Sequence, residues 1–238
     1  MLDLSTRSDA KEIMDDLQCR GEVVEQTLRE LDFINHWLGG NTVTLTAVEK
    51  LLSDLPKGTV VSIADLGCGS GDMLRRLAVW GQRKGLVLKL TGIDANPHII
   101  EYAKAHSADF PEIQWEAVNI FSDAFREKQY DVLLGTLFFH HFSSTDLVRF
   151  FRQACGQTRM GIVINDIHRH WLAWSSIALL TRLFSRSPMV RFDAPLSVRR
   201  AFTRLELQRI LDQAGIRSYS LRWKWAFRWE VIVDVRHP

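Results

Sequence analysis

Residues able to do chemistry gather at three places in this sequence. Asp65-Leu66-Gly67-Cys68-Gly69-Ser70-Gly71 sets glycines at alternate positions directly after an apolar run and an acid. A loop of that kind lets backbone amides approach a ligand with no side chain in the way. His140-His141 follows the apolar run 130–135, and Asp166-Ile167-His168 closes the run 161–166. An imidazole accepts a proton near neutral pH, and an acid beside it holds its tautomer and raises its basicity. His141 and His168 are therefore candidate general bases, with Asp166 as the acid that orients one of them. Adjacent His140 and His141 should face different ways, so at most one of the two is expected to reach the pocket. The plainer alternative is that these histidines only cap strand ends.

Glycine spacing decides which ligand the loop suits. A dinucleotide fingerprint wants a third glycine where Asp72 stands, and a carboxylate at that helix N-terminus repels a pyrophosphate. The Gly-Lys-Ser/Thr ending of a phosphate-binding loop is also absent. Both phosphate-cradling readings fail on the same few residues.

The elements that must position these groups can be read from periodicity. Short apolar runs at 60–66, 87–94, 113–118, 130–135 and 161–166 alternate with helical patterns, which predicts a parallel sheet covered on both faces. Asn96-Pro97 and Ser143-Ser144 mark helix starts, and Thr203-x-x-Glu206 is a capping box that opens a helix stopping at Gly215. Residues 217–223 and 228–235 then read as a hairpin. Ahead of the sheet, Ile13, Leu17, Val24, Leu28, Leu31 and Ile34 fall near helical spacing, which predicts one helix over 8–36 and, past Gly39-Gly40-Asn41, a second over 43–54. The segment 168–203 is far too long for an ordinary connection and must carry a helix of its own. The expected division is a helical accessory over 1–55 and a main domain over 56–238.

With its order of motifs on strand ends, the chain resembles the class I S-adenosylmethionine-dependent methyltransferases over roughly residues 60–235. Asp65 to Gly71 has the form acid-x-Gly-x-Gly-x-Gly of that family's first motif, and Thr91-Gly92-Ile93-Asp94 ends the second strand in an acid. Asn119-Ile120 stands where the family often has Asp and an apolar residue, and 130–135 matches its fourth motif. The resemblance implies a doubly wound, seven-stranded Rossmann-like α/β sheet with an antiparallel terminal hairpin. It also implies S-adenosyl-L-methionine as methyl donor, S-adenosyl-L-homocysteine as product, and no metal. The cofactor would lie along Asp65, Gly67, Cys68, Gly69, Gly71, Asp94, Ala95, Asn119, Ile120 and Thr136. Asp94 would take both ribose hydroxyls, a task that suits an acceptor-only carboxylate, and the Asn119 amide oxygen can still accept from the adenine amino group.

Family members differ in substrate, and here the accessory elements are the guide. His170-Trp171-Leu172-Ala173-Trp174, followed by Ile177, Leu179, Leu180 and Phe184, gives an aromatic, amphipathic helix suited to roof a pocket for a small apolar or aromatic acceptor. A core-packing helix or a homodimer contact is the plainer reading of the same residues. The chain is similar to methyltransferases of phenolic, quinone-like or polyketide-derived compounds, and oxygen methylation is favoured. Gly135-Thr136-Leu137-Phe138 replaces the Asn-Pro-Pro-Tyr type motif of enzymes that methylate exocyclic or glutamine nitrogens.

Composition narrows the classes further. The 238 residues are 46% hydrophobic with a net charge of +2, too small a charge to indicate a nucleic-acid binder. Residues 1–36 are acidic on balance, whereas 182–209 hold seven arginines against Asp193 and Glu206. Two solvated faces that pair with each other are expected, the alternatives for the chain being an RNA methyltransferase that uses the arginines or a non-catalytic binding module that keeps the cofactor fold. The three cysteines form no CxxC pair, and the longest apolar run, at 171–184, is shorter than the roughly 18 residues that would span a bilayer. With no secretory leader in its opening residues, the chain is expected to be cytoplasmic.

Overall fold

β1 (Val60–Leu66) is nearly continuous in apolar residues, the composition a strand needs when both of its faces are covered. In the computed structural model, which describes residues 3–236, it lies third in a seven-stranded sheet, flanked on both sides. Its partners are β2 (Val87–Asp94), β3 (Gln114–Ala117), β4 (Tyr130–Thr136), β5 (Thr158–Ile167), β6 (Tyr219–Lys224) and β7 (Arg228–Asp234), in the order β3-β2-β1-β4-β5-β7-β6. The first five run parallel, and β7 is antiparallel to both β5 and β6. This is the expected doubly wound sheet with its antiparallel terminal hairpin.

Side-chain alternation along the strands feeds two cores. Val132 and Leu134 of β4 join Ile63, Leu74 and Leu77 on one face, while Leu133 joins Phe139, Phe150 and Phe151 on the other. The first face is covered by α2 (Gly40–Leu51) and α3 (Asp72–Lys84), the second by α6 (Ser144–Gln157) and α9 (Arg204–Gln213). α4 (Pro97–Ala105) and the single turn α5 (Asp123–Arg126) complete the early crossovers. The starts read from sequence hold: Asn96 and Ser143 accept from backbone amides of the helices they cap, and Thr203 and Glu206 form a reciprocal box.

The N-terminal segment departs from expectation. Helix α1 spans Glu22–Trp37, not 8–36, and α2 begins at Gly40. Residues 3–21 form an irregular strap with one 3₁₀ turn at Ile13–Asp15. Ile13 and Leu17 have helical spacing but are each 41% exposed, so no apolar face holds a helix there. The strap is fixed instead by the Asp193 carboxylate, which accepts from the amides of Ile13 and Met14 at 2.8 and 3.1 Å.

The long insertion carries two helices rather than one, α7 (Trp171–Phe184) and α8 (Pro188–Arg200). The break falls at Ser185 to Ser187, where the Glu30 carboxylate accepts the amides of Arg186 and Ser187 and Ser187 caps α8 ahead of Pro188. Of the arginines in 182–209, Arg200 pairs with Glu12 and Asp15 of the acidic N-terminal segment, and it does so buried and not on a solvated face. No helix among the described residues is long and apolar enough to cross a membrane.

Candidate active site

A cavity of about 950 Å³ opens along the C-terminal edge of the parallel strands. That is the edge at which open α/β sheets bind ligands, and the volume is near the top of the range for small-molecule sites. The strap, α1, α7, α8 and the β6-β7 turn wall the other sides.

One half of the cavity is built by the ends of β1, β2 and β4. The amides of Gly67 and Cys68 donate to the Ile93 carbonyl at 2.8 and 3.0 Å, which ties the glycine loop to the end of β2. Asp65, Gly67, Cys68, Gly69, Asp94, Ala95, Asn119, Ile120 and Thr136 all line the cavity, as expected. Gly71 is the exception. It is the left-handed residue ahead of α3, and a Cβ there would lie 2.4 Å from the Trp115 ring, so it serves the turn and its packing and not the cavity wall.

Charge within this half suits S-adenosylmethionine. Asp65 is buried and its Oδ1 has no hydrogen-bond partner. Burial, with Asp94 and Asp72 nearby, pushes its carboxyl well above the ordinary range. A buried acid in this position lacks a cationic donor, which the cofactor's α-ammonium group supplies. Asp94, pushed by burial to about 6, accepts from the Asn96 amide at 2.9 Å. Asn119 accepts from the Phe121 amide at 2.9 Å through its side-chain oxygen, which has a second lone pair. Asp94 and Asn119 fit the ribose and adenine groups that the resemblance implies for them.

Imidazoles and carboxylates stand just beyond the same end of β4, at the turn Phe139–His141. His140 and His141 both line the cavity. His141 Nδ1 is 2.6 Å from Asp15 Oδ1, and Arg200 pairs with the other Asp15 oxygen while donating to the His141 carbonyl. Asp15 is held far below the ordinary carboxylate range; burial opposes this, but hydrogen bonds from His141 and Arg200 prevail. His140 is buried, with Nδ1 2.7 Å from Asp166 Oδ1 and Nε2 3.7 Å from Glu12 Oε1.

Two expectations need correction here. Asp166 pairs with His140, not with His141 or His168. His168 is not among the cavity-lining residues; its ring packs on Trp229 at 4.8 Å between centroids. Asp166 and His168 share a strand face but stand roughly 7 Å apart along the chain, whereas the 3₁₀ turn Phe139–His141 folds His140 onto Asp166.

The N-terminal segment is expected from the sequence to cover the site as a helix over 8–36, but nothing in the sequence singles out Glu12, Asp15 or Arg7 as site residues. Arg7 bonds the carbonyls of His140 and Phe142 at 2.9 and 2.8 Å, so it fastens the strap to the histidine turn. Asp32 of α1 accepts from Ser70 Oγ at 2.6 Å and is pushed up to about 6 by burial. Glu12, His140 and His141 are the one group among the described residues with metal-like spacing, their donor atoms lying within 4.8 Å of one another. Arg200 Nη1, 3.7 Å from Glu12 Oε1, already supplies a positive charge there.

Residues 63–161 match the family model described as a methyltransferase domain. Among curated proteins, none matches the chain. In fold the chain is similar to the plantazolicin methyltransferase BpumL, solved with a pentazolic desmethylPZN analog and SAH (TM-score 0.63, 17% identity, 89% of each chain covered). It is similar also to the citrinin polyketide synthase CMeT domain (TM-score 0.60, 17% identity), with 79% of this chain covered. It spans about half the length of that chain, 50%. A third likeness is to a SAM dependent methyltransferase from Aquifex aeolicus (TM-score 0.55, 17% identity, covering 79% of this chain and 88% of that one). The family match falls on the strands that carry the motifs, and the sheet order agrees with it, so residues 63–161 are similar to a methyltransferase domain.

Proposed function

We propose that the protein methylates a small apolar or aromatic acceptor at oxygen, with His141 as the general base and Asp15 as its positioning residue. The observation that carries this reading is the His141-Asp15 pair, 2.6 Å apart, on the same cavity as the glycine loop and Asp94. Bound S-adenosylmethionine supplies an electrophilic methyl group carried on a sulfonium. The chain must align the acceptor, keep water out and take up its proton.

Asp94, Asn119 and Ile120 hold the nucleoside end and Asp65 the ammonium, which leaves the region beside His141 for the acceptor. Ala173, Ile177 and Leu180 of α7 face this region and make it apolar. As the acceptor oxygen attacks, its proton passes to His141 Nε2. Asp15 then stabilises the imidazolium from Nδ1, and Arg200 keeps Asp15 in place.

The test is transfer from a labelled methyl donor to a panel of phenols and quinols, run with His141→Gln in parallel. Methylation at oxygen that falls 10²–10⁴-fold in the variant is the expected result. Product methylated at carbon, or equal rates for both proteins, overturns the assignment.

A further inference from the structure

Most charged side chains around this cavity have a partner of opposite sign or a set of carbonyl acceptors. Arg200 has Asp15, His140 has Asp166, and Arg7 has three backbone carbonyls. Arg228 is different. It is the first residue of β7, is only 4% exposed, and lines the cavity. No carboxylate of the described residues lies within ion-pair distance of it. Its Nη2 donates to Asn35 Oδ1 at 2.9 Å, and its Nη1 has no hydrogen-bond partner at all.

A buried guanidinium with no carboxylate in contact is costly, because arginine stays charged and must be desolvated; Asp166 attracts it only at a distance and is already paired with His140. Its setting compounds the positive potential. A Cβ on Gly40 would stand 2.9 Å from the Arg228 Cζ, so the guanidinium lies close against the first residue of α2. The N-terminal end of that 12-residue helix carries partial positive charge and has no side-chain cap. Charge, open donor and helix end together ask for an anion from outside the chain.

We infer that Arg228, fixed by Asn35 and backed by the start of α2, is a receptor for a carboxylate on the methyl acceptor. The inference rests on the reading of this cavity as a methyl-acceptor site. Sheet order separates it from the cofactor. Arg228 on β7 is three strands from Asp65 on β1 and four from Asp94 on β2, roughly 14 and 19 Å across the sheet edge. The apolar surround nearest to it is the β6-β7 turn, with Trp223, Trp225 and Phe227 on the cavity wall. The acceptor class is accordingly an aromatic or apolar molecule bearing a carboxylate, its reactive hydroxyl toward His141 and its anionic end toward Arg228. Arginine suits a planar carboxylate through paired N–H donors, and lysine would supply charge without that geometry.

The experiment compares two near-isosteric probes, 3-(4-hydroxyphenyl)propionate and its primary amide, by calorimetry on the full chain saturated with S-adenosylhomocysteine. Wild type should bind the acid at least tenfold more tightly than the amide. Arg228→Gln should abolish that preference, Arg228→Lys should keep part of it, and both should bind S-adenosylhomocysteine within about twofold of wild type. Equal affinity of wild type for the two probes, or none for either, overturns the inference without requiring any variant to fold. A tenfold loss of S-adenosylhomocysteine affinity in Arg228→Gln with the acid preference intact overturns it too, since the anion is then the cofactor's own carboxylate. Failure of wild type to bind S-adenosylhomocysteine overturns the reading beneath it.

Discussion

His141 Nδ1 and Asp15 Oδ1 meet at 2.6 Å although 126 positions separate them in the chain. One residue sits on the turn after β4, the other on a strap that precedes every strand. Contact therefore requires the strap to be wound over the finished sheet edge, where Arg7 and Asp193 hold it. The proposed base is complete only when the strap is docked.

Kinetics should separate the two imidazole assignments and test the positioning role of Asp15. His141→Gln is expected to lower the single-turnover rate 10²–10⁴-fold, and Asp15→Asn to lower it less while shifting the pH-rate profile. His168→Gln should leave turnover of the folded fraction nearly unchanged, because its ring packs on Trp229 outside the cavity. A rate loss in His168→Gln equal to that in His141→Gln, at equal stability, would count against this arrangement.

Legibility in the sequence followed locality. Asp94 was readable because it ends an apolar strand, and the sheet then carries it to the ligand edge. Thr203 and Glu206 were readable because a capping box is complete within four residues. Asp15 and Glu12 were not, since nothing near them in the chain hints at partners after β4. Ile13 and Leu17 misled for a related reason: spacing reports a helix only where an apolar surface waits to cover it, and the strap lies across a polar cluster. The pairing of Asp166 also escaped, because adjacency in sequence to His168 is a weaker constraint than a 3₁₀ turn that brings His140 back onto the strand.

Cofactor affinity should depend on pH through Asp94. Burial raises its folded value to about 6, and it must be ionised to accept two ribose hydroxyls. Calorimetry should show S-adenosylhomocysteine binding level above pH 7 and weakening toward tenfold per unit as pH falls below 6. Asp94→Asn should bind about 10- to 100-fold more weakly at pH 7.5, with a flatter profile. Any slope that survives in the variant points to Asp65, raised well above the ordinary range by burial, or to Asp32, raised to about 6 by burial. A wild-type profile flat from pH 5 to 8 would remove Asp94 from the ribose.

Glu12 should make the fold less stable as pH rises. Burial lifts its carboxyl to about 7 against the pull of His141 and Arg200, so the folded protein binds a proton that the unfolded chain releases near 4.5. With the folded value raised, stability falls between roughly pH 4.5 and 7 and levels off above that. Glu12→Gln, which mimics the neutral acid, should therefore gain on wild type between pH 5 and 8, on the order of 2 kcal/mol in urea unfolding. A difference that is constant with pH would mean that Glu12 is ionised throughout.

Gly71→Ala should damage the fold more than the cofactor site. The position has φ +77°, a left-handed conformation costing a side chain about 1–3 kcal/mol. The added Cβ would also lie 2.4 Å from the Trp115 ring. That ring cannot retreat inward, because a Cβ placed on Gly92 beneath it would be just 2.6 Å away, so the indole is held between the glycine turn and β2. Thermal unfolding of Gly71→Ala should accordingly fall well below wild type, and Trp115→Leu in the same chain should recover part of the loss, as expected when two contacting sites couple. The strain of φ is untouched by the second change, so recovery should be incomplete. Since Gly71 is not a cavity-wall residue, the folded fraction should bind S-adenosylhomocysteine within about threefold of wild type. Normal thermal stability combined with a tenfold loss of affinity would return Gly71 to the cofactor site.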